Sequence, residues 1–203
     1  MSTEQRAAFF DGIAAQWDGW HDLAAIQATL AVGLAELGVG ATETVVDAGC
    51  GTGNLTAALA ARLGPGGRIL AVDVSPRMLD VARGKVRDPR VTWRLAGAEA
   101  LPVEDGSVDR VFFMAVWPHF DEPERAGCEA FRALRPGGRV HVWHLAGREY
   151  VNSIHASGNE PIRGDLLVPA GETAATLERA GFEVVGAVVD DGERYLVSAA
   201  KPG

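Results

Sequence analysis

The stretch VVDAGCGTGNLT, Val45 to Thr56, places three glycines at alternate positions directly after a short β-branched run. Glycine lacks the Cβ that holds other atoms at a distance, so Gly49, Gly51 and Gly53 together predict a backbone that bends sharply and admits close approach. The next segment, LTAALAARLG, has helical spacing and ends on a glycine. A strand, a glycine bend and a helix form the opening unit of an open α/β sheet, in which ligands collect beyond the carboxyl ends of the strands.

The alternation continues. RILAVDV (Arg68 to Val74) reads as the second strand, and SPRMLDVARGKV as a helix with Ser75 at its N-cap and Pro76 at its first position. VTWRLA (Val91 to Ala96) is the third strand. VDRVFFMAVW (Val108 to Trp117) is an apolar run suited to a central strand covered on both faces. PERAGCEAFRALR is an amphipathic helix, Pro136 to Gly138 a turn, and RVHVWHL strand five. A less regular stretch, Tyr150 to Pro169, precedes a helix around Gly171 to Ala180. FEVVGAVVD and RYLVSAA then read as two strands joined by the turn signal DDG. The fold class is therefore α/β: a Rossmann-like, seven-stranded, mostly parallel sheet with helices on both faces and an antiparallel last strand. Residues 1–40 are helical in pattern, with Phe9, Phe10, Ile13, Trp17 and Trp20 on one apolar side, and form a cap or lid. The 203 residues suit a single domain, with 1–40 as cap and 41–203 as core.

Bulk composition excludes several partners. A formal charge of −8 without a basic block argues against nucleic acid and anionic lipid, because phosphate neutralisation needs clustered Lys and Arg. No apolar run reaches the ~20 residues that cross a bilayer, and the N-terminus lacks the succession of a signal peptide. The expected setting is the cytoplasm, as a monomer or homodimer. Cys50 and Cys128 read as reduced thiols.

The ligand at the bend is constrained by what is missing. A dinucleotide turn needs G-x-G-x-x-G, and Asn54 stands where its third glycine belongs; a P-loop needs a Gly-Lys-Ser/Thr that this chain lacks. A nicotinamide dehydrogenase is thereby disfavoured. Asp73, about 20 residues on, closes the second strand where an acid can accept both ribose hydroxyls. Asp47, the bend and Asp73 together suit a ligand that bears a ribose, carries positive charge and has no phosphate.

VVDAGCGTG, AVDVSPRML, GAEALPVEDGSVDRV and ALRPGGRVHVW resemble, in order, the motifs of class I S-adenosylmethionine-dependent methyltransferases, in particular the small-molecule branch related to ubiquinone-biosynthesis methyltransferases; FFDGIAAQWD is similar to the helix that precedes the core in that branch. The resemblance implies S-adenosylmethionine as cofactor and a small-molecule methyl acceptor. It implies that Asp47, Gly49, Gly51 and Gly53 meet the methionine portion, that Asp73 takes the ribose, that Val74 and Met78 flank adenine, that Ala98 and Glu99 lie near the base, and that backbone at Met114 lies beneath the methionyl group. The family commonly carries an acid where this chain has Gly97, so adenine recognition rests on Ala98, Glu99 or apolar packing.

Methyl transfer needs a general base only when the acceptor carries a proton. His119, His144 and His155 fall on the carboxyl side of the sheet and are the candidate catalytic residues, with His119 first. His141 lies three residues before His144, a spacing that turns it to the opposite face of a strand. A divalent metal held by two or three of the imidazoles is a secondary option, and no metal ligand is assigned. Trp17, Trp20, Trp117 and Phe120 are available to wall an aromatic pocket. The alternative to an enzyme is a catalytically silent protein that binds S-adenosylmethionine.

Overall fold

The computed structural model describes residues 3–158 and 162–203. Seven strands form a mixed sheet: β1 (Thr44–Ala48), β2 (Arg68–Asp73), β3 (Val91–Leu95), β4 (Val108–Met114), β5 (Leu134–His144), β6 (Glu183–Asp190) and β7 (Tyr195–Ala200), in the order β3-β2-β1-β4-β5-β7-β6. The helices are α1 (Thr3–Trp17), α2 (Leu23–Glu36), α3 (Asn54–Arg62), α4 (Pro76–Lys85), α5 (Pro123–Ala133), α6 (Arg148–Ser157) and α7 (Ala170–Arg179). This is the Rossmann-like architecture expected. The chain divides into two compact units, the residues up to 97 and those from 98 on.

In the first unit β1, β2 and β3 are parallel and in continuous register, Thr44 opposite Arg68 and Ile69 opposite Val91. β1 is buried along four of its five residues, as a β-branched strand lying under helices must be, whereas β3 leaves Leu95 61% exposed. α1 packs on α4 and α2 on α3. The apolar side expected for the N-terminal helix is only half realised. Ala14 and the stem of Arg6 are its buried residues, while Phe10 and Trp17 are half-buried and Trp20, beyond the helix end, is 56% exposed.

In the second unit β4 runs parallel to β5, and β7 is antiparallel to both β5 and β6. The Pro136 to Gly138 sequence is not a turn before strand five but a bulge within β5. Val108 faces Leu134 and Arg110 faces Arg139, so the partner strand carries extra residues. Gly137 adopts φ +76°, and its N–H donates to the Lys201 carbonyl at 2.9 Å, which keeps the bulge tied to the end of β7. The stretch after β5, expected to be irregular, is helical over Arg148–Ser157. His141 lies on the face predicted: its ring meets Arg110 at 2.8 Å and Ser198 at 2.8 Å and stacks on Phe112, a buried structural role. Among the described residues no helix is long and apolar enough to cross a membrane.

Candidate active site

The bend between β1 and α3 is held by main-chain bonds and one carboxylate. Gly49 and Cys50 N–H both donate to the Val72 carbonyl at 2.9 Å, and Gly49, Gly51 and Gly53 all have φ between +52° and +80°. In that left-handed region a side chain is strained. The glycines then part in role. A Cβ on Gly53 would stand 3.0 Å from the Ala82 Cβ and 3.3 Å from Trp93, so this glycine lets α4 and β3 close on the bend; a Cβ on Gly51 would meet nothing within 4 Å. Cys50 packs in an apolar cluster with Ala71 and Leu79.

Asp73, at the tip of β2, accepts from Gly51 N–H at 2.8 Å with one oxygen and from Ser75 N–H at 2.8 Å with the other. Both oxygens keep a second lone pair. Asp47 is buried, with Oδ2 accepting from the Thr56 hydroxyl at 2.6 Å and Oδ1 without a partner among the described residues. Burial, with the charge of Asp73 adding to it, pushes Asp47 up to about 7, and burial raises Asp73 as well. Val74 is half-buried and Met78 fully buried.

Two further carboxylates, not singled out from sequence, tie the N-terminal helices to this bend. Asp11 of α1 accepts from the Ser75 hydroxyl at 2.5 Å and from Arg77 N–H at 3.0 Å. Asp18 accepts from the Thr52 hydroxyl at 2.6 Å and from Lys85 at 2.7 Å, and Lys85 also reaches Asn54 Oδ1 at 2.8 Å. Although burial opposes it, these hydrogen bonds from Lys85 and Thr52 hold Asp18 below the ordinary carboxylate range. The adenosyl sulfonium fits this donor set. Two acids with raised pKa are relieved by a cation, Gly51 is open above its Cα, and the Lys85 ammonium at the bend is already paired.

In the second unit the three predicted histidines come together. His119 ends a 3₁₀ turn, Trp117–His119; His144 ends β5; His155 lies on α6; and all three are buried. His119 Nδ1 lies 2.6 Å from Asp165 Oδ2, and His155 Nδ1 donates to the Asp165 carbonyl at 2.7 Å, with the two rings 5.0 Å apart. Asn152 holds the same segment by exchanging two hydrogen bonds with the Leu167 backbone. His144 packs edge-on against Tyr195, 5.6 Å between centroids, and its Nε2 is buried without a hydrogen-bond partner among the described residues. Burial first, and then the neighbouring His119 and His155, push His144 down to about 3, so it is neutral at physiological pH. Among the described residues no three His, Cys, Asp or Glu form a group able to hold a metal ion. In the first unit Trp17 packs with Phe10 and Trp20, and in the second Trp117 packs with Phe113 and Phe120.

Residues 46–142 match the model of a methyltransferase domain. The chain is 33% identical over 187 residues to the ubiquinone/menaquinone biosynthesis C-methyltransferase UbiE of Hahella chejuensis, covering 82% of this chain and 72% of that one. The chain belongs to the class I S-adenosylmethionine-dependent methyltransferases. It is also 37% identical over 145 residues to an uncharacterised methyltransferase of Mycobacterium tuberculosis, covering 68% of this chain and 56% of that one, so it spans little more than half the length of that relative. Among solved structures, a chain of the complex between the Haloferax volcanii Trm112 methyltransferase activator and a methyltransferase superposes with a TM-score of 0.77 at 26% identity, covering 96% of this chain and 98% of that one.

In this methyltransferase Asp47, Gly49, Gly51, Gly53, Asp73, Val74 and Met78 fall in the first unit, and Ala98, Glu99 and Met114 in the second, with Ala98 buried and the other two half-buried. Ala115, next to Met114, is the non-glycine residue at φ +55°; its N–H donates to the Trp143 carbonyl at 2.9 Å. The backbone after β4 is thus held in a conformation that costs on the order of 1 kcal/mol. Sequence reasoning misses Asp165, since nothing in a polar segment marks which acid will meet a histidine 46 residues earlier.

Proposed function

We propose that this chain is a cytosolic methyltransferase that methylates a small protic molecule, with His119 as general base. The observation that carries the reading is the buried His119–Asp165 pair at 2.6 Å. A carboxylate on Nδ1 fixes the ring and favours the imidazolium formed when Nε2 takes a proton, the same division of labour as in other base–carboxylate pairs. The relative named as a quinone-biosynthesis C-methyltransferase supports a small acceptor, and the acidic composition speaks against a polyanionic one.

When bound, S-adenosylmethionine supplies an electrophilic methyl on sulfur. In this reading Asp47 and the backbone of Gly49, Gly51 and Gly53 receive the methionine portion. Asp73 accepts from the ribose hydroxyls with the lone pairs its two amide bonds leave over. Val74, Met78, Ala98 and Glu99 serve the base, and the backbone at Met114 the methionyl group. His119 accepts the acceptor's proton at Nε2 while Asp165 retains Nδ1–H, and neutral His144 offers a hydrogen bond without adding charge. His155 shares the acceptor site.

Isothermal titration with S-adenosylmethionine and S-adenosylhomocysteine tests the cofactor half: both release heat with the folded protein, and silence from both ends the proposal. Transfer of labelled methyl to small-molecule acceptors tests the other half and separates the enzyme from a silent binding protein.

A further inference from the structure

Two buried carboxylates stand on adjacent strands of the first unit, and they are served unequally. Asp73 accepts from two main-chain amides, Gly51 N–H and Ser75 N–H, each at 2.8 Å. Asp47, 1% exposed, accepts from the Thr56 hydroxyl at 2.6 Å on Oδ2, and its Oδ1 has no partner among the described residues. A carboxylate removed from water stays ionised only where donors or a cation replace its lost hydration.

Among the described residues, what acts on Asp47 is that one hydroxyl and further negative charge. On β2 the neighbouring charge is Asp73, itself under the influence of Asp11 from α1. On the bend, burial first and then both acids push the Cys50 thiol up, so it stays neutral, while Arg83 of α4 acts on that thiol in the other direction. The Lys85 ammonium is taken by Asp18 at 2.7 Å and Asn54 at 2.8 Å. A proton on the carboxyl is the remaining way to hold Asp47 in this setting, and a cation brought close to it removes the need.

We propose that Asp47 is a proton-exchanging receptor for the ammonium of the methionine portion: it carries a proton in the cofactor-free protein at and below neutral pH, and releases it to solvent when that ammonium arrives. No direct bond is required, since charges act over several ångströms in a site this dry. This coupling rests on the reading of the bend as the cofactor site, and adds to it a proton that leaves as the ligand enters. In the slightly acid range the free protein binds one more proton than the complex, so affinity rises with pH and levels off once Asp47 is ionised beforehand.

The first measurement needs no ligand. Carboxyl ¹³C spectra of the full-length protein, with the Asp47 signal assigned from Asp47→Asn, show a group that ionises at about 7 rather than at its ordinary 3.8. An Asp47 signal that titrates in the ordinary range overturns the proposal.

The second measurement is calorimetry with S-adenosylhomocysteine, which keeps the ammonium, at pH 6 in buffers of different ionisation enthalpy. About one proton is released per ligand bound, and affinity rises about tenfold from about pH 5.5 to about 6.5. This interval lies below about 7.7, where the ligand's own amine starts to lose its charge. 5′-Methylthioadenosine carries the same nucleoside without the ammonium and binds with no proton released; equal release by both ligands overturns the proposal, because the nucleoside contact at Asp73 then accounts for it. In Asp47→Asn, S-adenosylhomocysteine binds without releasing a proton, and its affinity changes by about twofold or less over the same interval. If that variant does not fold, the two ligands on the native protein decide the matter. Binding without proton release sinks the coupling alone, whereas no binding of either ligand sinks the cofactor reading and the coupling with it.

Discussion

At the glycine bend the carboxylate of Asp73 accepts from main-chain amides, whereas around His119 the carboxylate of Asp165 meets another side chain. The first arrangement fixes backbone: two amide bonds to Asp73 lock the bend and the start of α4 in one geometry, whatever the neighbouring side chains are. The second holds a ring through one of its nitrogens. Their buried titratable groups also lean in opposite directions. Asp47 is pushed up to about 7 and resists becoming an anion, while His144 is pushed down to about 3 and resists becoming a cation. Under the proposed reading, in which the bend receives a cation and the histidines take up a proton, these opposite biases match the two tasks.

Substitutions sharpen or break the contrast. The largest expected effect is on turnover. His119→Ala lowers kcat by about 100- to 10,000-fold and leaves the calorimetric affinity for S-adenosylmethionine unchanged; comparable losses in both place His119 in the cofactor site and dissolve the contrast. Asp73→Ala acts the other way, removing the acceptor of one buried and one part-buried amide at about 1–3 kcal/mol each, so that cofactor affinity and melting temperature fall together.

Asp47→Asn separates stability from binding. An acid whose folded pKa is raised from about 4 to about 7 leaves the folded state holding the proton over that interval, so its ionisation destabilises the native protein progressively as pH rises from about 4 to 7. The amide removes this cost, on the order of a few kcal/mol above pH 7, and thermal melts at pH 5 and 8 should converge relative to the native chain. His144 has the opposite slope. Its depressed pKa means that the unfolded chain binds the proton first, so stability is lost as pH falls from about 6.5 toward 3, and His144→Gln should flatten that acid limb. Smallest is Asp18→Ala, which breaks the partly exposed pair with Lys85 and a bond from Thr52 and costs about 1 kcal/mol in urea denaturation, less at high salt.

The contrast also explains how far the sequence can be read. β1 agrees residue for residue with Thr44–Ala48, and β2, β3 and α7 agree to within a residue at each end, because continuous β-branched runs and 3.6-residue spacing are local signals. The bend is legible for the same reason: its three glycines at positive φ lie within five residues. His119 and His144 can be placed near strand ends, but the partner of His119 cannot be read, since the bond to Asp165 closes a long loop. α6 reads as irregular because NSIHASG carries no clear apolar period; its order comes from tertiary bonds of Asn152 and His155. Pro136-Gly137-Gly138 has the composition of a turn and is absorbed as a bulge because the flanking residues stay paired to β4 and β7. Trp20 reads as part of the apolar side of the N-terminal helix, yet it lies beyond the end of α1 and is exposed apart from its contact with Trp17.

Helix α4 begins with Pro76, which has no N–H to satisfy; Met78 N–H is accepted by Ser75 at 3.0 Å and Leu79 N–H by the Ser75 carbonyl at 3.2 Å, leaving Arg77 N–H to Asp11, from a helix 66 residues upstream. Trimming the first dozen residues would therefore uncap a distant helix. It would also take away the negative charge that sits favourably at that helix's positive end. A shortened chain that still melts cooperatively yet holds its nucleoside loosely would be the signature of that borrowed cap.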